Sequence, residues 1–317
     1  MRALRFDGRA LGYGDDWPDP EPRADEVPIR ILQAGICETD LQILRGYMGF
    51  VGIPGHEFVG IAEAGRYAGQ RVVGEINCSC GRCTTCRAGR RTHCPDRTVL
   101  GILGRDGAFA ERIVLPEVNL HRIPETVSTE AAVFVEPLAA ACRIVEQVHV
   151  RRGDRVVVLG DGRLGLISAL VLAREGADVR LVGKHESKLA RAAGLGVSGV
   201  LAADVRPDRR ADLVVDCTGS PSGLAAALEW VRPLGTVVLK TTVAAGHSLS
   251  LAPVVIDEVR VLGSRCGPFP AAIALLSERA IDVEALVDAR FPLADGVAAF
   301  ARAQTAGTFK VLLKIAD

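Results

Sequence analysis

The sequence predicts an α/β protein in which a β-rich domain is joined to a domain built on a doubly wound parallel sheet. Three observations lead to this prediction. Short strand-like runs broken by Gly and Pro fill the first third, strands alternate with helices from Arg155 onward, and 49% of the 317 residues are apolar. Closely spaced short strands are typical of a barrel or sandwich, and strand–helix alternation is typical of a parallel sheet. A chain of this length and apolar content can bury the cores of two domains.

The strand-like runs of the first third are short and end near turn-forming residues. They are Val27–Ala34, Gly60–Ala64, Arg71–Ile76 and Ala108–Leu115. Helical periodicity follows over Ser128–Val148, where Ser128 is a suitable N-cap. The character of the chain therefore changes near residue 125.

The second part alternates between apolar runs and helical segments. Its predicted strands are Arg155–Leu159, Asp178–Val182, Val200–Ala202, Leu213–Cys217 and Thr236–Thr241, followed by the run Val259–Gly263. Its predicted helices are Leu164–Glu175, Glu186–Leu195 and Ser222–Val231. Right-handed crossovers between such strands make a sheet parallel. The C-terminal part predicts helices Ala271–Ser277 and Asp295–Ala303, the latter capped by Asp295, and a strand Phe309–Ile315.

The charge balance and the lengths of the apolar runs exclude several classes of function. With 38 basic and 38 acidic residues the chain has no basic field for a phosphate backbone, so nucleic-acid binding is not expected. The N-terminus has no apolar run typical of a signal peptide. The longest runs, Val156–Leu159 and Leu164–Ala173, fall short of the roughly 20 residues that cross a bilayer. We therefore expect a cytoplasmic protein without a membrane segment.

Five of the nine cysteines lie between Cys78 and Cys94. Four of these follow the spacing C-x2-C-x2-C-x7-C: Cys80, Cys83, Cys86 and Cys94. In a reducing compartment such a cluster indicates a metal site rather than disulfides. Four thiolates can close a tetrahedral shell around one zinc ion, which gives a structural site without an open position. Reduced cysteines without a metal and an iron–sulfur cluster are the alternatives, and Cys78 falls outside the spacing.

A second group of metal-ligand side chains lies outside the cysteine cluster. Cys37, His56, Glu57 and Glu136 supply a thiol, an imidazole and two carboxylates. Such a set with one open position is typical of catalytic zinc, which polarises a bound alcohol or carbonyl oxygen. Glu57 would act as a ligand or as a partner of a ligand. The alternative interpretation is a small core cysteine and a structural histidine.

A glycine motif follows the first strand of the second part. The strand Val156–Leu159 leads into Gly160-Asp161-Gly162-Arg163-Leu164-Gly165, and a helix follows. In this strand–turn–helix context the pattern G-x-G-x-x-G predicts dinucleotide binding, with the helix N-terminus facing the pyrophosphate. The expected cofactor-binding residues here are Gly160, Gly162, Arg163, Leu164 and Gly165. A glycine-rich turn that serves packing alone is the alternative.

The end of the second strand indicates which dinucleotide is preferred. An acidic residue at this position would bind the ribose of NAD, but the sequence has Gly183 followed by Lys184 and His185. Loss of the carboxylate relieves the repulsion of a 2′-phosphate, and the two basic side chains could pair with it. The sequence therefore favours NADP(H) over NAD(H), although Glu186 lies nearby. Solvated loop residues are the alternative.

Together these motifs resemble those of the zinc-dependent alcohol dehydrogenases of the medium-chain dehydrogenase/reductase family, in the sorbitol and threonine dehydrogenase-like branch. The resemblance covers nearly the whole chain, from Gly35-Ile36-Cys37 to Phe309-Lys310-Val311-Leu312. It implies a GroES-like catalytic domain in two segments, residues 1–126 and 267–317, around a Rossmann dinucleotide-binding domain at residues 127–266.

The resemblance also implies roles for single residues of the catalytic site. Cys37 and His56 are expected to bind the catalytic zinc. Glu57 and Glu136 are the remaining carboxylates, and members of the family differ in which of them touches the metal. Thr39 stands where the family's hydroxyl accepts the substrate proton.

Two further residues match family positions, and two features depart from the pattern. Asp40 resembles the partner that orients the zinc-bound histidine, and Lys310 stands where the family often places a basic residue near the cofactor phosphates. Gln42 replaces a histidine that many relatives use to pass the proton to solvent, so we expect a water chain from Thr39 instead. The segment between residues 62 and 72 is shorter than usual, with Gln70 in place of an aspartate.

The expected function is hydride transfer between an alcohol or polyol, or its carbonyl form, and NADP(H) or NAD(H). Two zinc ions per chain, one catalytic and one structural, and a homo-oligomer of two or four chains are expected from the resemblance. A reductase of an activated carbonyl intermediate in secondary metabolism is an alternative within enzymes. A cofactor-sensing protein without turnover is an alternative from another class.

Overall fold

The computed structural model describes residues 1–242 and 249–316. The chain divides into two compact units. The first unit contains Met1–Glu136, Ala272–Arg279 and the last segment from Val283, and the second contains Pro137–Ala271 and Ala280–Asp282. The first boundary thus follows Glu136, whereas the sequence predicted it after residue 126. The reason is that a helix beginning at Thr129 packs against two strands of the first unit.

The first unit is built from short strands with few helices. Its elements up to the boundary are β1 (Ala3–Phe6), β2 (Leu11–Gly14), β3 (Glu26–Gly35), α1 (Glu38–Ile43), β4 (Glu57–Ala62), β5 (Arg71–Gly74), β6 (Asn77–Cys78), α2 (Thr84–Arg87), β7 (Thr98–Val99), β8 (Arg112–Pro116), β9 (Leu120–Arg122) and α3 (Thr129–Val133). Helix α4 (Val135–Gln147) then runs across the boundary.

The second unit alternates strands with helices. Its elements are β10 (Arg155–Leu159), α5 (Arg163–Arg174), β11 (Asp178–Gly183), α6 (Glu186–Gly194), β12 (Ser198–Leu201), β13 (Ala211–Asp216), α7 (Gly223–Trp230), β14 (Val231–Leu239), α8 (Ala252–Ile256) and β15 (Arg260–Gly263). The C-terminal part adds α9 (Phe269–Ser277), β16 (Val287–Pro292), α10 (Gly296–Ala303) and β17 (Lys310–Lys314). Short 3-10 helices lie at Tyr47–Gly49, Gly65–Tyr67, Arg91–His93, Glu117–Asn119, Glu284–Leu286 and Leu293–Asp295.

A seven-stranded sheet organises the first unit, with the strand order β16-β17-β3-β4-β5-β9 and β8 paired to β3. Val27, Ile29 and Ile31 of β3 are buried while the residues between them are partly exposed, which is the two-residue period of a strand with one face in the core. The end of β3 lies between β4 and β17, since Gly35 is the partner of both Glu57 and Leu312. This register brings residues far apart in the sequence to one end of three adjacent strands.

The second unit contains a six-stranded parallel sheet of order β12-β11-β10-β13-β14-β15. Val156–Leu159 of β10 is buried throughout, as expected for a central strand of a parallel sheet. The strand order reverses between β10 and β13, and in open sheets of this kind ligands bind beyond the carboxyl ends of the strands at such a point. The α/β class predicted from the sequence is confirmed.

Most predicted elements are present, and the differences have local causes. The helix predicted over Ser128–Val148 is split at Phe134, which ends α3 before α4 begins, and Ser128 caps α3 by accepting the N–H of Ala131. Asp295 stands at the N-cap position of α10, but its side chain makes no capping hydrogen bond, so its predicted capping role is wrong. The shortened hairpin closes normally, with the N–H of Gly69 donating to Ala62 at 2.8 Å.

Among the described residues, no helix has both the length and the apolar character needed to cross a membrane.

Candidate functional site

The four predicted cysteines converge in a lobe between β6 and β7. The sulfur atoms of Cys80, Cys83, Cys86 and Cys94 all lie within 4.8 Å of one another. The Sγ–Sγ distances are 3.5 Å for Cys80–Cys94, 3.8 Å for Cys83–Cys94 and 4.0 Å for Cys80–Cys86. A tetrahedral shell with Zn–S of about 2.3 Å puts its sulfurs about 3.8 Å apart. The lobe therefore has the size of a four-thiolate zinc site.

Backbone N–H groups contact two sulfur atoms of this lobe and favour the thiolate of Cys80. Cys80 N–H points to Cys94 Sγ and Cys86 N–H points to Cys83 Sγ, each at 3.4 Å. Backbone N–H groups of Arg82 and Cys83 lower the pKa of the Cys80 thiol to about 7. Burial raises the pKa of the Cys86 thiol, inside the group, and of the Cys78 thiol, outside it, each to about 11. The geometry groups the four cysteines and leaves Cys78 outside them, and zinc binding by the four stays a prediction.

A second cluster forms where β3 ends and β4 begins. Cys37, His56 and Glu57 each offer a ligand atom, and these atoms lie within 4.8 Å of one another. His56 and Glu57 are 3% and 0% exposed, whereas Cys37 is half-buried. In the described residues Glu136, in the first turn of α4, does not belong to this group. A thiol, an imidazole and a carboxylate are a donor set that zinc accepts.

Asp40 holds the second cluster together. Its Oδ1 lies 3.2 Å from His56 Nδ1 and also accepts the N–H of Gly55, while its Oδ2 accepts the N–H of Cys37 at 2.8 Å. Burial lowers the pKa of His56, but the charges of Asp40 and Cys37 outweigh burial and hold that pKa well above its ordinary value. The same negative charges favour a metal cation between the ligand atoms, so the residues present fit zinc.

Thr39 and Gln42 lie on α1 beside the second cluster. Thr39 is half-buried, and its hydroxyl oxygen is 3.9 Å from Cys37 Sγ. Gln42 instead donates to the carboxylate of Glu38 at 2.7 Å on the exposed side of the helix. A hydroxyl therefore stands next to the candidate metal ligands, and the residue that replaces the relay histidine is engaged elsewhere.

Lys310 occupies a position that the sequence did not predict. It was expected near the cofactor phosphates, but it is fully buried in the first unit and its ammonium contacts the carboxylate of Glu57. Its Nζ lies 5.2 Å from the ring centroid of Phe134, and a Cβ on Gly35 would lie only 2.6 Å from its Cε. Burial lowers the pKa of Lys310 to about 8. In the described residues Lys310 balances the charge of a buried glutamate, and its predicted contact with the cofactor phosphates stays a prediction.

The glycine motif has the geometry that a dinucleotide requires. Gly160 has φ +108°, and a Cβ there would lie 2.5 Å from the carbonyl oxygen of Cys217. A Cβ on Gly165 would lie 1.9 Å from the carbonyl oxygen of Gly160, so only glycine lets helix α5 start this close to β10. A Cβ built on Gly162 would meet no atom of the described residues within 4 Å, so there is open space beside this glycine for an approaching phosphate. The residues present therefore fit a dinucleotide.

Arg163 and Leu164 form the first turn of α5 and are half-buried. The N-terminus of this helix is a favourable position for an anion. At the end of β11, Gly183 is buried, while Lys184 and His185 are exposed.

Sequence reasoning missed Asp161, the residue between the first two glycines. Its carboxylate accepts the backbone N–H groups of Lys184 and His185, each at 2.7 Å, and lies 3.0 Å from the imidazole Nδ1 of His185. The sequence did contain a signal for Asp161. An acidic residue follows the first glycine directly, and a glycine stands where an acid is expected on the next strand.

Comparisons with known proteins agree with both units. The family model described as alcohol dehydrogenase GroES-like domain matches residues 23–125, and the one described as zinc-binding dehydrogenase matches residues 164–278. L-threonine 3-dehydrogenase from Streptomyces avermitilis is 31% identical and aligns over 94% of each chain.

Two solved structures resemble the whole chain. A zinc-binding dehydrogenase from Sinorhizobium meliloti 1021 bound to NADP has a TM-score of 0.90 and 27% identity over 99% of both chains. An alcohol dehydrogenase from Escherichia coli CFT073 complexed with NADH has a TM-score of 0.91 and 26% identity, also over 99% of both chains. The chain belongs to the zinc-dependent alcohol dehydrogenases of the medium-chain dehydrogenase/reductase family, and it is an oxidoreductase.

Proposed function

We propose that this oxidoreductase moves a hydride between an alcohol or polyol, or its carbonyl form, and a nicotinamide dinucleotide, with a catalytic zinc held by Cys37, His56 and a carboxylate. The observation that carries this proposal is the buried thiol–imidazole–carboxylate cluster backed by Asp40. Three protein ligands leave one position of a tetrahedral zinc for the substrate. Glu57 belongs to the cluster and is our first choice, with Glu136 as the alternative carboxylate.

Each residue of the cluster has a separate task in this proposal. When bound, zinc supplies a Lewis acid that favours the deprotonated alcohol, and the nicotinamide supplies the hydride acceptor. Asp40 orients the imidazole of His56 through Nδ1, as hydrogen-bonded partners of metal-binding histidines do.

Thr39 accepts the hydroxyl proton and passes it to water, because Gln42 faces Glu38. Lys310 keeps the buried charge of Glu57 compensated.

The lobe of Cys80, Cys83, Cys86 and Cys94 is proposed to bind a second, structural zinc. Its spacing of sulfur atoms supports this assignment, and four thiolates leave no position for substrate. Four cysteines that stay reduced to bind a metal require a reducing environment, which supports a cytoplasmic location.

The cofactor is proposed to bind at the glycine motif of β10 and α5. The basic residues Lys184 and His185 support the preference for NADP(H) that the sequence predicts, since both are exposed at the end of β11. The contact between His185 and Asp161 works against it, because the imidazole Nδ1 already lies 3.0 Å from a carboxylate oxygen.

A homo-oligomer is also proposed, with the second unit as its contact surface. In the described residues strand β15 lies at the edge of the parallel sheet, and an edge strand can pair with a strand of a second copy. Nearby in the sequence, Val255 and Ile256 of α8 are 74% and 78% exposed. Sedimentation of the zinc-loaded protein tests this, and a monomer at micromolar concentration would contradict it.

The main experiment joins metal content to turnover. Wild-type protein should contain two zinc ions per chain and should change nicotinamide absorbance with some member of a panel of alcohols, polyols and carbonyl compounds. Cys37→Ser should lose one zinc and its turnover. The control Cys142→Ser alters a buried cysteine of α4 and should keep both zinc ions. Full activity of Cys37→Ser would contradict the zinc mechanism.

The same assay separates the alternative functions. Tight dinucleotide binding at full zinc loading without turnover on any compound would favour a cofactor-sensing protein. Turnover confined to activated carbonyl compounds would favour the reductase.

A further inference from the structure

The space beside Gly183 is filled by a side chain from a different part of the chain. A Cβ built on Gly183 would lie 2.5 Å from both Cβ and Oδ2 of Asp161. Asp161 follows the first glycine of the motif, in the loop between β10 and α5. Gly183 is therefore required because the Asp161 side chain already lies at the end of β11, where dinucleotide-binding folds usually carry an acidic residue.

Several contacts fix the Asp161 carboxylate in this place. Its Oδ2 accepts the N–H groups of Lys184 and His185 at 2.7 Å, and both carboxylate oxygens lie close to His185 Nδ1, at 3.0 and 3.1 Å. The residue is 6% exposed. Burial raises the pKa of Asp161, but His185 and the two backbone N–H groups outweigh burial and hold the pKa below its ordinary value. The carboxylate is therefore ionised at neutral pH.

We propose that Asp161 supplies, from the glycine loop, the ribose-recognising carboxylate that this fold usually carries at the end of the second strand, and that it makes the enzyme prefer NAD(H). The inference rests on the proposed function only in that the chain binds a nicotinamide dinucleotide. It reverses the preference for NADP(H) that Gly183 and its basic neighbours predicted from the sequence.

The charges at this end of β11 give the physical reason. A ribose 2′-hydroxyl can donate to an ionised carboxylate, whereas a 2′-phosphate brings a second negative group next to a buried one. His185 offers little compensation, because Asp161 already pairs with its imidazole. Lys184 is exposed, and an attraction to a 2′-phosphate in water is screened by salt. Repulsion by the carboxylate therefore outweighs the attraction of the two basic side chains.

Binding rather than turnover tests the inference. Titration of zinc-loaded protein with NADH and NADPH, followed by nicotinamide fluorescence, gives the two dissociation constants without a substrate. Wild type should bind NADH at least about ten-fold more tightly than NADPH, as expected for a charge-assisted hydrogen bond. Asp161→Asn should shrink that ratio about ten-fold, mainly by tightening NADPH binding. Asp178→Asn removes the same charge from the other end of β11 and should leave the ratio unchanged.

A second variant guards against a distorted loop. Asp161→Gly combined with Gly183→Asp returns the carboxylate to the end of β11 and removes the clash at 2.5 Å, so the preference for NADH should return. Tighter binding of NADPH by wild type, or the same ratio in wild type and Asp161→Asn, would overturn the inference alone. Binding of neither dinucleotide by wild type would overturn the proposed function and the inference with it.

Discussion

The two candidate metal clusters of the first unit are assembled in different ways. The lobe takes its four ligands from the single stretch Cys80–Cys94, and two of the thiols are only half-buried. The second cluster, called the mixed cluster below, takes Cys37 and Glu57 from the ends of adjacent strands, and Lys310 of the last strand contacts it. Glu57 and Lys310 are fully buried. A closed thiolate site can be encoded locally, whereas charges held in a core need partners from distant parts of the chain.

The largest expected effect concerns the lobe. Cys94→Ser should remove one zinc and lower the free energy of unfolding by about 5 kcal/mol, because metal binding to such a lobe is coupled to its folding. Zinc analysis and chemical denaturation measure both quantities. Cys78→Ser, which alters a buried cysteine outside the group, should keep both zinc ions. Full zinc content in Cys94→Ser would contradict the assignment of the lobe.

Removal of the buried ammonium should have the next largest effect. Lys310→Met leaves the carboxylate of Glu57 buried without its partner, which should cost about 3 kcal/mol of the free energy of unfolding in zinc-free protein. The loss should be smaller with zinc bound, since the cation compensates the same carboxylate. Denaturation with and without a chelator measures the difference. Lys314→Met changes an exposed lysine of β17 and should cost no more than about 0.5 kcal/mol. Equal losses in the two variants would show that Lys310 does not compensate Glu57.

A smaller effect should distinguish the clusters by metal affinity. Asp40→Asn keeps an acceptor but removes the charge beside His56, so zinc affinity of the mixed cluster should fall about 10- to 100-fold. The affinity of the four-cysteine lobe should stay the same. Competition with a fluorescent chelator resolves the two sites. Asp106→Asn, which weakens a contact to the N–H of Ile53, serves as the control. A parallel loss at both sites would point to general destabilisation.

An exposed ion pair of the first unit should give the smallest effect. Its contribution to the free energy of unfolding is a reference for that of the buried pair of Lys310 and Glu57. Glu130 and Arg290 bond at 2.6 Å, and Arg290 lowers the pKa of that carboxyl group. A lowered pKa stabilises the fold above the ordinary pKa of glutamate, and the stabilisation is lost as the pH falls through the lower value. Glu130→Gln should therefore cost less than about 1 kcal/mol at pH 7, and the difference from wild type should vanish in acid. Denaturation at several pH values measures it. A loss of stability in Glu130→Gln that grew towards acid pH would contradict the predicted pH dependence.

The local sequence was sufficient to predict much of the fold and to group the four cysteines of the lobe. The strand β10, the glycine motif and α5 could be located because a strand, a tight turn and a helix follow one another without a gap. The four cysteines could be grouped because their spacing alone brings them together. Strands β1 and β2 and helix α8 were not predicted, since elements of four or five residues carry too little periodicity to stand out.

The sequence by itself determined which residue types are available: a thiol, an imidazole and carboxylates for a metal, and glycines for a dinucleotide. Only the tertiary structure decided how their charges are compensated. The register of β17 against β3 brings Lys310 to Glu57, and the turn after β10 brings Asp161 to the end of β11. Both pairings join residues distant in the sequence; the residue types at positions 161 and 183 are a signal for the second pairing, but no periodicity or spacing sets the distances. Charge compensation in a buried site depends on distances in space, which packing sets and residue order does not.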